Sequence, residues 1–115
     1  MHEISLVRTI FRTLEEQFTP EELDNVEAIE LKIGPLANVE KILLQNAFDA
    51  VVEEDEVRFK GVVLKVNMVP ILIQCPVCDQ ITEVHQYRFV CSCGKPCGNV
   101  VQGNELMIER VVFSG

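Results

Sequence analysis

The chain has 115 residues, enough for one domain with a small satellite, and its ten Lys and Arg against eighteen Asp and Glu give a net charge of −8. Lys32, Lys41, Lys60, Lys65 and Lys95 are scattered rather than clustered, so no basic patch offsets repulsion from a phosphate backbone, and nucleic acid is disfavoured as a partner. At 48% hydrophobic the chain is rich enough to build a core.

The longest apolar candidate, Val62 to Ile73, is interrupted by Lys65 and Asn67 and falls short of the roughly 18 residues of a membrane span. Glu3, Arg8 and Arg12 break the pattern of a signal peptide. The expected location is the cytoplasm, where thiols stay reduced.

In chain order, Ile4, Val7, Phe11, Leu14 and Phe18 recur at helical spacing, with Ile10 beside them and Arg8, Arg12, Glu15 and Glu16 opposite. This predicts an amphipathic helix of about four turns. Thr19-Pro20-Glu21-Glu22 has the pattern of a capping box with proline at the first helical position, predicting a second, short helical turn. Val26 to Ile33 reads as a strand, with Ile29, Leu31 and Ile33 alternating against Glu30 and Lys32, and Gly34-Pro35 ends it. Asn38 is the expected cap of a second long helix, running from Val39 into the low fifties. Its predicted inner face is Val39, Ile42, Leu43, Ala47, Ala50 and Val51, widened by Leu44 and Phe48.

Glu53-Glu54-Asp55-Glu56 reads as a solvated helix end. Val62 to Val69 is β-branched, with Pro70 at an edge, a bulge or the strand's end. After the cysteine segment, Gly103-Asn104 turns the chain into a last strand, Glu105 to Phe113. The expected fold is α+β, with two helices on a three-stranded sheet and an inserted zinc-ribbon-like four-cysteine domain. The expected division is an α+β domain of residues 1–72 and 101–115 and a zinc-binding domain of residues 73–100. The insert is too short to own a hydrophobic core and needs a metal to fold.

All five cysteines lie between Cys75 and Cys97. An odd number confined to so short a stretch reads as metal ligands, not as a disulfide framework. Cys75-Pro76-Val77-Cys78 is a two-residue-spaced pair, twelve residues separate it from Cys91, and Cys93 and Cys97 follow close behind. Four thiolates around one tetrahedral Zn(II) fill its coordination and leave no open position for a substrate. Cys75 and Cys78 are the secure pair; Cys91 with Cys93 complete the set, with Cys97 as the spare. Iron in the same site would carry electrons and colour the protein. A redox pair suits the surroundings less well, because the C-x-x-C follows no βα crossover and has other cysteines nearby. His85 reads as a surface histidine.

Met1-His2-Glu3 is the other unusual feature. The α-amine, the amide of His2 and its ring can form a chelate suited to planar nitrogen ligation, hence Ni(II) or Cu(II), with the Glu3 amide able to complete it; taken on these residues alone, an ordinary histidine at a frayed terminus is the stronger reading. A helix starting near Glu3 leaves its first N–H groups without intrahelical partners, so deprotonating one for a metal breaks no helix hydrogen bond.

Met1-His2-Glu3-Ile4-Ser5-Leu6, Ile33-Gly34-Pro35-Leu36 with Val39, Ala47-Phe48, two cysteine turns and Gln102-Gly103-Asn104-Glu105-Leu106 follow one another in an order that resembles the HypA/HybF family of nickel metallochaperones for [NiFe]-hydrogenase maturation. The resemblance implies a nickel site at Met1, His2 and Glu3 and a structural zinc site at Cys75, Cys78, Cys91 and Cys93, with Ni(II) as transferred cargo. It implies delivery to the hydrogenase large subunit together with a HypB-type GTPase, and allows a urease role and a homodimer. No enzyme is expected, since the sequence shows no paired nucleophile and base, no glycine-rich phosphate loop and no open zinc site. Cys91-Ser92-Cys93-Gly94 departs from the family's second C-x-x-C by one residue, and Cys97 is extra. The reading to be beaten is a zinc-ribbon protein-interaction module without exchangeable metal.

Overall fold

The computed structural model describes residues 3–114. Its elements in chain order are α1 (Glu3–Gln17), α2 (Pro20–Leu23), β1 (Val26–Ile33), α3 (Lys41–Glu54), β2 (Val63–Met68), β3 (Leu72–Gln74), β4 (Ile81–Glu83), β5 (Val100–Gln102) and β6 (Leu106–Phe113). Short 3-10 turns occupy Pro35–Ala37 and Val57–Phe59. The strands form two three-stranded sheets, one in the order β2-β1-β6 and one in the order β4-β3-β5. The first is the sheet expected from the sequence; the second, whose outer strands in sequence, β3 and β5, flank the cysteine segment, has no counterpart in the sequence reading.

The chain divides into two compact units. The first takes the residues up to Leu31, Val39–Asn67 and those from Met107 on; the second takes Lys32–Asn38 and Met68–Leu106, and so includes residues 73–100 together with the segments that flank them in space. The net charge of −8 belongs to the first unit, because the second balances Lys32, Arg88 and Lys95 against Asp79, Glu83 and Glu105.

In the first unit α1 buries Leu6, Val7, Ile10, Phe11 and Leu14, leaving the expected Ile4 half exposed. Helix α3 buries Leu44, Ala47, Phe48, Val51 and Val52, residues spaced three and four apart on one stripe. The Phe11 ring packs against Phe48 at 5.5 Å and Phe59 at 4.7 Å between centroids. From the sheet, Ile29 and Leu31 of β1 and Leu64 and Val66 of β2 are buried. Thr19 caps α2 as expected: its hydroxyl accepts from the Glu22 amide at 3.2 Å, and the Glu22 carboxylate accepts from the Thr19 amide at 2.9 Å.

Two details of α3 differ from the sequence reading. Asn38 does not cap it; Asn38 closes the Pro35–Ala37 turn in the left-handed region at φ 59°, and Glu40 stands at the N-cap without a side-chain hydrogen bond. Asparagine serves both roles, and the proline of Gly34-Pro35 starts a turn that uses it first. The inner face also shifts, since Ile42 is 74% and Leu43 48% exposed. In the run Ile42-Leu43-Leu44 periodicity alone does not choose the inward residue. The register that buries Phe48 with Leu44 and Val51 encloses the largest side chain.

On β1 the expected outward residue Glu30 is buried. Arg110 of β6 donates to one carboxylate oxygen of Glu30 from Nε at 2.9 Å and from its terminal nitrogen at 2.6 Å, while Asn67 of β2 donates to the other at 3.4 Å. The Arg110 hydrogen bonds hold the Glu30 carboxyl below the usual glutamate range against the opposing effect of burial.

Candidate metal centre

Two hairpin loops supply the sulfurs. Strands β3 and β4 pair antiparallel, Ile73 facing Thr82 and Gln74 facing Ile81, and the Cys75 amide continues the ladder by donating to the Gln80 carbonyl at 3.0 Å. The loop between them holds Cys75 and Cys78. Asp79 turns it in the left-handed region at φ 62°, with its amide donating to the Cys75 carbonyl at 2.8 Å. In the second hairpin the Cys91 amide donates to the Lys95 carbonyl and the Cys97 amide to the Phe89 carbonyl, each at 2.9 Å. Gly94, at φ +93°, closes the tip, its amide donating to the Cys91 carbonyl at 2.8 Å. A glycine here makes the turn without the steric cost any other residue would bring.

The Sγ atoms of Cys75, Cys78, Cys91 and Cys93 all lie within 4.8 Å of one another. Cys78 and Cys91 are 3.3 Å apart and Cys75 and Cys93 4.0 Å, on either side of the roughly 3.8 Å edge of a tetrahedron with Zn–S bonds of about 2.3 Å. The four thus fit one tetrahedral ion. Cys97 stays outside the group; its thiol donates to the Gln74 carbonyl at 3.3 Å.

The protonation chemistry agrees with a cation site. The Cys93 amide, 3.5 Å from the Cys91 sulfur, is the largest influence drawing that thiol down to about 6, and the amides of Cys78 and Val77 lower Cys75. The Gln80 amide acts on Cys78 in the same direction, yet the Cys91 sulfur, burial and the remaining sulfurs outweigh it and push Cys78 up to about 12. Amides favour the thiolates of Cys75 and Cys91 while the neighbouring sulfurs oppose ionisation of Cys78, a conflict that a cation held among them relieves.

Side chains around the sulfurs tie the two hairpins together and carry no signal in the sequence. The Ser92 hydroxyl donates to the Gln80 side-chain oxygen at 2.8 Å, and the Ser92 amide to the Thr82 hydroxyl at 3.3 Å. Beside the site, the segments Gly34-Pro35-Leu36 and Gln102 to Leu106 meet: the Gly34 amide donates to the Glu105 carbonyl and the Leu36 amide to the Gly103 carbonyl, each at 2.9 Å. The Glu105 carboxylate accepts from the Gly103 amide at 2.7 Å, which with its own amide and Lys32 holds its carboxyl below the usual range.

Of the expected nickel residues, Met1 and His2 lie outside the described residues, and Glu3 is the first residue of α1. His85 stands on an exposed hairpin turn 3.8 Å from the Glu83 carboxylate and does not join the four sulfurs.

An α+β unit with a second unit whose two hairpin loops gather four cysteine sulfurs is an architecture suited to a small metal-binding protein. The family described as hydrogenase/urease nickel incorporation, metallochaperone, HypA matches residues 1–113. A hydrogenase maturation factor HypA of Chloroflexus aurantiacus is 32% identical over 108 residues, covering 92% of this chain and 93% of its own. One of Campylobacter jejuni is 30% identical over 114 residues, covering 98% and 99%. The solution structure of the Ni metallochaperone HypA from Helicobacter pylori superposes with a TM-score of 0.65 at 24% identity, covering 98% of this chain and 97% of that one. Another HypA solution structure gives 0.70, also at 24% identity, with 99% and 97% covered. The chain belongs to the HypA family of nickel-incorporation metallochaperones. Among the described residues, no helix is long and apolar enough to cross a membrane.

Proposed function

We propose that this protein binds Ni(II) at Met1-His2-Glu3 and delivers it during maturation of [NiFe]-hydrogenase, with urease as a second client, while Zn(II) at Cys75, Cys78, Cys91 and Cys93 holds the second unit in shape. The observation that carries this reading is the closure of the cysteine site: four sulfurs within 4.8 Å of one another fill a tetrahedral ion and leave no donor free to pass it on. Transferable cargo needs a different donor set, and the N-terminal nitrogens provide one. Helix α1 begins at Glu3, so the first backbone N–H groups have no partner inside the helix and are free to be replaced by a metal.

In this reading nickel is the substrate. The Met1 amine, the His2 amide and ring and the Glu3 amide form a planar nitrogen set. Protonation and displacement of these nitrogens one at a time by a recipient's ligands release the ion. We assign nickel handling to residues 1–72 and 101–115 and the zinc site to residues 73–100. The protein works in the cytoplasm as a carrier, not as an enzyme, with a HypB-type GTPase, the hydrogenase large subunit and a second copy of itself as its candidate partners.

The test is metal analysis of the purified chain, then Ni(II) titration of the native protein and of His2→Ala with zinc retained in both. One zinc, and one nickel lost in the variant, is the expected result. A residue prepended to Met1 moves the amine out of the chelate and should also abolish tight nickel binding. Unchanged nickel affinity in both variants would leave a zinc-stapled interaction module in place of a carrier.

A further inference from the structure

The closed site leaves one cysteine over. Cys97 is 5% exposed and sits in the apolar cluster of Ile71, Ile73 and Val84 that also contains Cys75 and Cys91. Hairpin pairing sets Cys97 opposite Phe89 and Lys95 opposite Cys91, so Cys97 is one diagonal cross-strand step from a ligand. Its thiol hydrogen-bonds the carbonyl of Gln74, the residue before another ligand, Cys75. Of the four clustered cysteines, Cys93 is the exposed one, at a loop tip that competing ligands can reach.

We propose that Cys97 is a reserve ligand, which takes the place of Cys93 when that sulfur leaves the ion. The proposal rests on the four-thiolate reading of the site. In the exchange the Cys93–metal bond breaks and the Cys93 sulfur takes up a proton. Cys97 gives up its thiol proton and forms the new bond, so the site keeps four thiolates and its net charge. Two features ease the movement. The Gln74 carbonyl keeps a donor when Cys97 departs, because the Asn99 side-chain amide bonds it at 3.1 Å. Gly94 and Gly98 flank the segment, and without a Cβ their backbone dihedrals are free to change as the sulfur moves.

The experiment is Co(II) substitution of the full chain, whose sulfur-to-cobalt absorption counts thiolates, in the native protein and in Cys93→Ser, Cys97→Ser and the double variant. Native, C97S and C93S proteins should each show a four-thiolate spectrum, and only the double variant should drop to three. A C93S spectrum equal to that of the double variant overturns the reserve role. A native protein without four thiolates refutes the site reading itself. A second measurement decides if C93S does not fold: the rate of zinc loss to a chromogenic chelator, native against C97S. Serine keeps a hydroxyl for the Gln74 carbonyl, so the loss is confined to the sulfur. A several-fold faster release from C97S is expected, and equal rates overturn the proposal.

Discussion

Replacing Gly34 with Ala would place a Cβ 2.0 Å from the Gly103 carbonyl oxygen and 2.1 Å from its carbon. That is more than an ångström inside van der Waals contact, and the obstacle is backbone, so no rotamer change relieves it. The two segments have to separate, which breaks the Gly34 to Glu105 and Leu36 to Gly103 hydrogen bonds. Two backbone bonds at about 0.5–1.5 kcal/mol net each, with an added desolvation cost if the buried groups go unpaired, give an expected loss of about 2–4 kcal/mol. Gly98→Ala is the control, because nothing lies within 4 Å of its Cβ position, and it should stay within about 0.5 kcal/mol of the native chain. Gly103→Ala should fall between them, with φ +132° and a Cβ 3.1 Å from the Ile71 side chain, at a strain of order 1–3 kcal/mol. The assay is urea unfolding of the zinc-loaded chain followed by far-UV circular dichroism. A Gly34→Ala midpoint equal to that of Gly98→Ala refutes the argument.

Phe11→Ala removes the ring between Phe48 and Phe59 and should cost about 3–5 kcal/mol in the same assay. Leu44→Ala should cost about 2–5 kcal/mol, whereas Ile42→Ala, at a position 74% exposed, should stay within about 0.5 kcal/mol; equal losses would restore the inner face expected from the sequence. Glu30, whose carboxyl is lowered chiefly by Arg110, contributes stability that is present above the usual glutamate range and lost as pH falls through its lowered value. Glu30→Gln should therefore flatten the acid side of a stability–pH curve, and an unchanged slope counts against the pairing. Stripping the metal from the reduced full chain should collapse the amide resonances of Ile73 and Thr82 and leave those of Val7 and Phe48 dispersed; uniform retention would show that the second unit folds without its ion.

The elements most visible in the sequence are those set by local rules. The spacing of Val7, Phe11 and Leu14 gives α1, Thr19 and Glu22 give the capping box, and the β-branched run before Pro70 gives β2. What was hidden depends on partners distant in the chain. Burial of Glu30 requires Arg110, eighty residues on, and no period in β1 reveals that the outward position will be covered. The second sheet leaves no signal in the sequence because β3, β4 and β5 have three residues each, too few for alternation to register. The cysteine spacing pointed to Cys75, Cys78, Cys91 and Cys93, the four sulfurs that the structure gathers. It gave no sign of Gln80, Thr82 and Ser92, whose role is to join one hairpin to the other.

The shortened second turn shows why the site tolerates a departure in spacing. Half of the buried residues in the second unit's cluster are cysteines, with Cys75, Cys91 and Cys97 beside Ile71, Ile73 and Val84. Such a core cannot hold its shape by apolar burial alone, and the bound ion becomes part of the folding free energy. What the ion requires is where four sulfurs arrive, not the number of residues between them. In Cys91-Ser92-Cys93-Gly94 the missing residue is absorbed at the tip, where Gly94 takes a positive φ and donates to the Cys91 carbonyl. The Cys93 amide still reaches the Cys91 sulfur at 3.5 Å. Restoring a residue between Ser92 and Cys93 should thus preserve the four-sulfur set while lengthening the loop, whereas Gly94→Val, with a β-branched side chain forced to φ +93°, should weaken metal retention although it removes no ligand. Equal zinc retention in Gly94→Val and the native chain, measured by chelator competition, would show that the turn geometry does not determine how the sulfurs converge.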